Sequence, residues 1–397
     1  MEWEREIIED PYNSLSEILL IFAGGACFIF QSYIGLVIFL FCFLYFRAHK
    51  WYLEKIGIGI EVENNPTRVK LHCNEQGYLD FHVNNRGLPV WGASLKLSFK
   101  DIVEPISHHY ESYHGNMIEV TVPFSIKKGE KGRVRLPIKG SRRGLCRLTR
   151  VQLVIPHLFG SGKVIMNLQE PVSSTMIVFP SSSPVKLLKN RDSNRNGELS
   201  SPHSLFFDVF QPIGTREYVS GDRFQDIHWK ASVRTGQLQT KVYAPSIKKE
   251  WMIAINLSDR YSITGQLESI IKHTAFLMHL AVEQNISFSL VLNARSLGIT
   301  PFYYLPAGTG RKHQQKGLEL LATLSTDEFT IPFHIVLQHL HMRQLVPSVF
   351  IVAGAMEARE RDRLVKISIK EPEIFMLNSD EEQGVVTIWN HTLKIPS

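Results

Sequence analysis

At 397 residues, with 44% hydrophobic and 21% charged side chains, the chain is too long for one ordinary domain and too apolar for wholesale disorder. A net charge of +6, with its Lys and Arg dispersed rather than striped, does not mark a nucleic-acid binder. Four cysteines with no CxxC and no Cys/His spacing suited to zinc exclude a disulfide scaffold and point to a reducing compartment.

From Ile18 to Phe46 no charged residue occurs. One membrane span needs ~20 apolar residues, so this stretch exceeds one span and falls short of two. A transmembrane anchor is expected over residues 15–47, either as one long tilted helix or as a tight hairpin around Gln31-Ser32. The acidic start, Met1 to Asp10, and the length of the apolar run argue against a cleaved signal peptide. Arg47, Lys50 and Lys55 come directly after the run, and the positive-inside rule then places the large C-terminal portion in the cytoplasm, at the cell membrane. Tyr45, Trp51 and Tyr52 suit an interfacial aromatic belt.

Residues 56–180 alternate apolar and polar with period two, as in 68–73, 78–83 and 94–99, between turn signals at 84–87 and 127–132. Short strands of this kind predict a β-sandwich module of immunoglobulin-like type. His72, His82, His108, His109 and His114 lack a carboxylate pair to complete a metal site and read as strand or loop residues.

Residues 181–247 hold a polar linker and then the most distinctive segment. It contains Arg216-Glu217-Tyr218-x-x-Gly221-Asp222 and Ile227-His228-Trp229-Lys230-Ala231-Ser232-x-Arg234. Charge-assisted hydrogen bonds among Arg216, Glu217, Asp222, Lys230 and Arg234, beside a buried Trp229, predict a clamp or a docking surface. His228 is the one candidate base here, and spacing implies no nucleophile for it.

From 248 to 397 strands and helices alternate. Apolar strands are expected at 251–257, 286–292, 349–353, 374–377 and 385–389, with 302–305 as a hairpin partner. Helices are expected over 267–281 (capped by Asn285), 311–324, 333–345 and 357–366. This pattern gives an open, mostly parallel sheet with helices on both faces, whose working edge is the carboxyl end of its strands. Gly308-Thr309-Gly310-Arg311-Lys312 has the wrong spacing for a phosphate loop. His334, His339 and His341 on one helix are expected to be solvated.

The run from Arg216 to Arg234 resembles the hallmark of domain-of-unknown-function family fifty-eight, with Gln225 where that family often has Arg and His228 where it often has Asp. Arg143-Gly144, Pro156-x-x-Phe159-Gly160 and the apolar N-terminal segment extend the resemblance. It implies an α+β multidomain chain with a C-terminal von Willebrand factor A-like domain, and a MoxR-type AAA+ ATPase as partner. The first strand of such a domain ordinarily ends in Asp-x-Ser-x-Ser to bind a divalent cation. Here Asn256, Ser258 and Arg260 stand in those places, a degenerate site in which an amide and a guanidinium replace hard oxygen ligands, so no metal or other cofactor is expected.

The leading expectation is a non-enzymatic, membrane-anchored scaffold or adaptor that meets lipid through its N-terminal segment and acts in assembly or maturation of other proteins. A hydrolase or transferase centred on His228 and an extracellular adhesion protein are the alternatives.

Overall fold

The computed structural model describes residues 2–8, 11–63, 68–106, 110–113, 116–158, 161–170, 172–188, 212–243, 250–259, 262–325, 328–368, 372–380 and 383–389. The chain divides into two compact units, Met1–Pro180 and Ser181–Ser397.

The first unit begins with a strand that its acidic composition conceals, β1 (Trp3–Ile8). Two helices come next, α1 (Pro11–Ile29) and α2 (Tyr33–Lys55), and then β2 (Ile60–Glu63), β3 (Arg68–His72), β4 (Gln76–Asn85), β5 (Val90–Lys100) and β6 (Val103–Pro105). The remaining strands are β7 (Tyr110–Tyr113), β8 (Met117–Ile126), β9 (Lys131–Gly140), β10 (Gly144–Pro156), β11 (Lys163–Leu168) and β12 (Thr175–Phe179). One sheet runs β1-β11-β10-β5-β8-β7, with β12 pairing both β10 and β3; a second runs β2-β4-β9-β6. The period-two pattern sets which side chains enter the shared core: on β4 Leu79, Phe81 and Val83 are buried, and they join Leu95 and Leu97 of β5 and Val134 and Leu136 of β9.

Strand β1 pairs antiparallel with β11, Trp3 opposite Leu168 and Ile8 opposite Lys163. Because β1 precedes α1 and β11 comes after α2, both outer ends of the helix pair sit on one side, so the apolar segment is a hairpin and not a single tilted span. Its legs approach closely: a Cβ on Gly24 would lie 2.5 Å from the Phe39 ring, and one on Gly35 2.5 Å from Cys27 Sγ. Tyr33–Lys55 is long and apolar enough to cross a membrane, whereas the apolar part of α1, Ser16–Ile29, is shorter. The base of α2 is welded to the β unit. Arg5 donates to the carbonyls of Leu53, Glu54 and Ile56 at 3.0, 3.1 and 2.8 Å, placing a cation on the negative end of the helix. His49 stacks on His157 at 3.9 Å, and Tyr52 meets His157 edge-on. Of the expected aromatic belt, Trp51 is exposed, whereas the Tyr52 hydroxyl is buried in this junction.

The second unit comprises β13 (Val185–Leu188), β14 (Pro212–Glu217), α3 (Trp229–Thr235), β15 (Gln239–Tyr243), β16 (Glu250–Ile255), a short ribbon β17 (Ser258–Asp259) and β18 (Ser262–Ile263), α4 (Leu267–Glu283), β19 (Ser287–Arg295), β20 (Phe302–Gly308), α5 (Gly310–Thr323), α6 (Phe333–Met342), β21 (Val349–Ala353), α7 (Ala358–Ser368), β22 (Glu373–Ser379) and β23 (Gly384–Ile388). Its seven-stranded sheet has the order β13-β23-β22-β21-β16-β19-β20. β16 lies parallel to both β19 and β21, and β21 parallel to β22. The strand order reverses between β16 and β21, the doubly wound arrangement in which ligands meet the carboxyl ends of the strands. Ile270, Ile271 and Met278 of α4 and Leu321 of α5 cover one face, and Phe333, Leu337 and Leu364 of α6 and α7 cover the other.

Three local features depart from the expectations of the sequence. Residues 185–188, expected in a linker, form an edge strand parallel to β23. Asn285 adopts φ 54° one residue beyond the C-cap, Gln284. His334, His339 and His341 are half-buried, and His339 packs edge-on against Phe302 at 5.2 Å. His108, His109, His114 and Phe159 lie outside the described residues.

Candidate functional site

The signature segment folds as a small ribbon with a helix. Among the described residues β14 and β15 form a two-stranded sheet, Glu217 opposite Gln239, to which Ile227 adds a single bridge at Thr240, and a two-stranded ribbon is marginal in water. Side chains supply the missing order. Arg216 and Asp222 form an ion pair at 2.6 Å, and the second Asp222 oxygen accepts from Val219 N–H at 3.1 Å and from the Thr240 hydroxyl at 3.0 Å. These donors, the Arg216 guanidinium first, hold the Asp222 carboxyl at about 2. Gly221 closes the turn at φ 118°, a conformation that favours glycine.

The second half of the signature starts α3. His228 is its N-cap: Nδ1 accepts the Ala231 N–H at 3.1 Å. Asp is among the best N-caps, so the imidazole nitrogen does here what an aspartate oxygen does at that position. The Ser232 hydroxyl donates to the His228 carbonyl at 3.1 Å and accepts the Gln239 N–H at 2.8 Å, tying α3 to β15. His228 Nδ1 and the Ser232 hydroxyl are therefore engaged in holding backbone.

Much of the segment faces outward. Trp229, expected inside, is 54% exposed, and Phe224, to which the sequence pattern assigned no role, is 74% exposed; their rings meet edge-on at 5.4 Å. Val233, one turn along α3 from Trp229, is 85% exposed. Glu217, Tyr218, Lys230 and Arg234 are exposed, and among the described residues Arg216–Asp222 is the one ion pair joining signature side chains, so the clamp expected from five charged groups rests on that pair. The aromatic pair was legible only as an apolar residue, Phe224, out of period in a charged stretch.

At the switch point of the large sheet lies a second cluster, built from amides. Asn256, at the end of β16, and Asn293, on β19, are both buried. Asn293 Nδ2 approaches Asn256 Oδ1 at 2.9 Å, Ser258 Oγ at 2.8 Å and the Ile331 carbonyl at 3.0 Å, while its Oδ1 accepts the Leu257 N–H at 2.7 Å. Asn256 donates to the Ala355 carbonyl at 2.6 Å. Gly354, at φ 98°, passes so close that a Cβ there would lie 2.2 Å from the Asn256 carbonyl oxygen. One amide nitrogen thus gathers three oxygens, and no carboxylate takes part. Asn293 carried no sequence signal, since it sits inside an apolar strand pattern. Arg260 lies outside the described residues, and Asp259 is exposed. Among the described residues no group of three or more His, Cys, Asp or Glu side chains is placed to share a metal ion.

A marginal ribbon-and-helix leading into a doubly wound sheet is the region matched by the family model described as "Protein of unknown function DUF58", which covers residues 214–368. The uncharacterized protein YeaD of Bacillus subtilis (strain 168) is 33% identical over 86 residues, 22% of this chain, and the match spans only about a fifth (21%) of that relative's length. Among solved structures, the C-terminal domain of wzt aligns at 10% identity over 31% of this chain and 75% of its own, with a TM-score of 0.21. A non-cellulosomal cohesin from Archaeoglobus fulgidus aligns at 13% identity over 28% and 86%, with a TM-score of 0.19. Likenesses this slight carry no weight for function.

Proposed function

We propose that this chain is a membrane-anchored adaptor without catalytic activity, which docks another protein through the outward face of the 212–243 ribbon and α3. The observation that carries the reading is the Phe224–Trp229 pair: two large aromatic rings packed on each other and left open to solvent on a substructure too small to need them as core. Exposed Trp is enriched at interface hot spots, and the segment also carries exposed Arg223, Lys230 and Arg234. The groups that a hydrolase or transferase would use here, His228 and Ser232, are engaged in capping and bracing α3.

The partner class is a MoxR-type AAA+ ATPase, as the resemblance of the signature implies. The same resemblance suggests a von Willebrand factor A-like α/β domain, in which the Asn256–Asn293 cluster takes the place of a cation, and an immunoglobulin-like β module. By the positive-inside rule, Lys and Arg just after the apolar hairpin favour a cytoplasmic side for both units. The test is affinity capture of the full chain from gently solubilised membranes, with and without ATP. Nucleotide-dependent recovery of an AAA+ ATPase that is lost in the Phe224→Ser/Trp229→Ser double variant supports the proposal. Equal recovery by the double variant, or no ATPase under either condition, refutes it.

A further inference from the structure

We infer that the α1–α2 hairpin enters the bilayer from the face on which the β unit lies and ends inside it, without its tip emerging on the far side. The inference deepens the membrane-anchor reading and rests on it.

The uncharged stretch of the first leg, Ile18–Phe30, rises about 20 Å at about 1.5 Å per residue, and that of the second, Tyr33–Phe46, about 21 Å. The hydrocarbon core is about 30 Å thick. The uncharged parts of both legs therefore end about a third short of a crossing, and at the same level; Tyr33–Lys55 reaches a full span only by including Arg47, Lys50 and the turn docked on the β unit. Glu17 and Arg47 mark the same level at the base, where they line one small cleft with Leu20 and Phe46. Beyond Arg47 the helix soon belongs to the β unit, since His49 already bonds the Ser161 carbonyl at 2.9 Å and stacks on His157. The base has no spare length to slide deeper.

The tip points the same way, independently of length. Phe28, Ile29, Phe30, Tyr33 and Ile34 are each at least 73% exposed, the densest cluster of bare apolar side chains in the hairpin. A turn that surfaced into water or headgroups would present those five to solvent. Several of its backbone groups, moreover, are paired within the turn, which lowers the cost of placing it in hydrocarbon. Phe30 N–H donates to the Ala26 carbonyl at 3.0 Å, Gln31 N–H to Phe28 at 3.2 Å and Ser32 N–H to Cys27 at 3.0 Å. The Ser32 hydroxyl oxygen accepts from Gly35 N–H at 3.4 Å, and its carbonyl accepts from Leu36 N–H at 3.0 Å. Gln31 is left as the one long polar side chain at the apex. The occupant of this surface is lipid hydrocarbon, reached from one side.

The experiment uses the full chain with Cys27, Cys42, Cys73 and Cys146 replaced by Ala. A single cysteine is introduced as Phe30→Cys or Tyr33→Cys at the tip, or as Trp51→Cys beyond the base, and labelled with bimane before reconstitution into vesicles. Each variant must keep the wild-type circular dichroism; the two tip positions serve as replicates should one misfold. Nitroxide lipids report depth, and a water-soluble quencher is placed outside the vesicles or trapped within. The expected result is that both tip labels are quenched several-fold more by tail nitroxides than by headgroup nitroxides, and by the soluble quencher from neither side, with Trp51→Cys quenched from outside. Quenching of the tip labels by trapped quencher, to the extent seen for Trp51→Cys from outside, would overturn the inference and leave a spanning anchor. A chain that fails to float with the vesicles would defeat the anchor reading itself and this inference with it.

Discussion

Replacing Asn293 by Ala removes the amide on which the switch-point cluster converges. Leu257 N–H, buried with its residue, then loses its hydrogen-bond acceptor, a loss of about 1–3 kcal/mol, and the bonds to Asn256, Ser258 and Ile331 contribute about 1 kcal/mol more in net. The sum, about 3 kcal/mol, corresponds to roughly 6–12 °C in melting temperature for a unit of this size. The assay is thermal unfolding of the full chain in mild detergent, with hydrogen exchange in peptides covering Glu250–Ile255 and Ser287–Arg295 to assign the transition to the second unit. Asn293→Asp sharpens the test. A carboxylate there faces two other acceptors, so its pKa is raised on folding. A raised pKa means stability is present while the group is protonated and is lost as pH rises, so this variant should be nearer wild type at pH 5 than at pH 8. If Asn293→Ala melts within about 2 °C of wild type, the cluster does not organise the carboxyl edge of the sheet and the argument for it fails.

Individual contacts give three further outcomes. The Asp222 carboxyl is held at about 2, below its unfolded value of about 3.9. The ribbon's order should therefore be complete above about pH 4 and lost as pH falls through about 2; exchange of the Val219 amide reads this, and Asp222→Asn should abolish the pH dependence. His273 is buried in the second unit with Nδ1 on the Ser379 hydroxyl at 3.0 Å, and burial, then Lys272, lowers its pKa against the opposing pull of Asp380. Its neutral form is the folded one, so stability falls as pH drops below about 6.5, and a urea series on His273→Gln should show a flatter profile. Arg5→Ala should loosen the end of α2 by about 1–2 kcal/mol, seen as faster exchange at Leu53–Ile56. Arg5→Lys should not restore it, because one ammonium does not reach three carbonyls.

Much of the architecture is written in periodicity. Strands with period two in residues 56–180, and apolar strands alternating with helices after Trp251, result from which faces must be buried, and such patterns survive any rearrangement of loops. What escaped was non-local. Trp3–Ile8 is acidic and looks like a solvated terminus; only its pairing with Lys163–Leu168 makes it a strand and decides that the apolar segment is a hairpin. Val185–Leu188 is ordered by β23, almost two hundred residues away in sequence. The signature's residue types were visible, but their division of labour was not. Arg216, Asp222, His228 and Ser232 are spent locally on the turn and the cap, whereas Trp229 is left outside because the ribbon has too little core to cover it. Asn293 illustrates a further limit. An amide in an apolar strand acquires meaning only when Asn256, Ser258 and Ile331 arrive around it.

The claim on which the functional account turns is that the face bearing Phe224, Trp229 and Val233 is covered by another protein in the cell. The direct measurement is to place a benzoylphenylalanine photocrosslinker at Val233, the most exposed of the three, and irradiate intact membranes carrying the full chain. The account predicts a discrete adduct containing an AAA+ ATPase, which disappears when Trp229→Ser is added while the chain keeps its melting temperature. Irradiation that yields only the unlinked chain, or the same adduct with Trp229→Ser present, would contradict it.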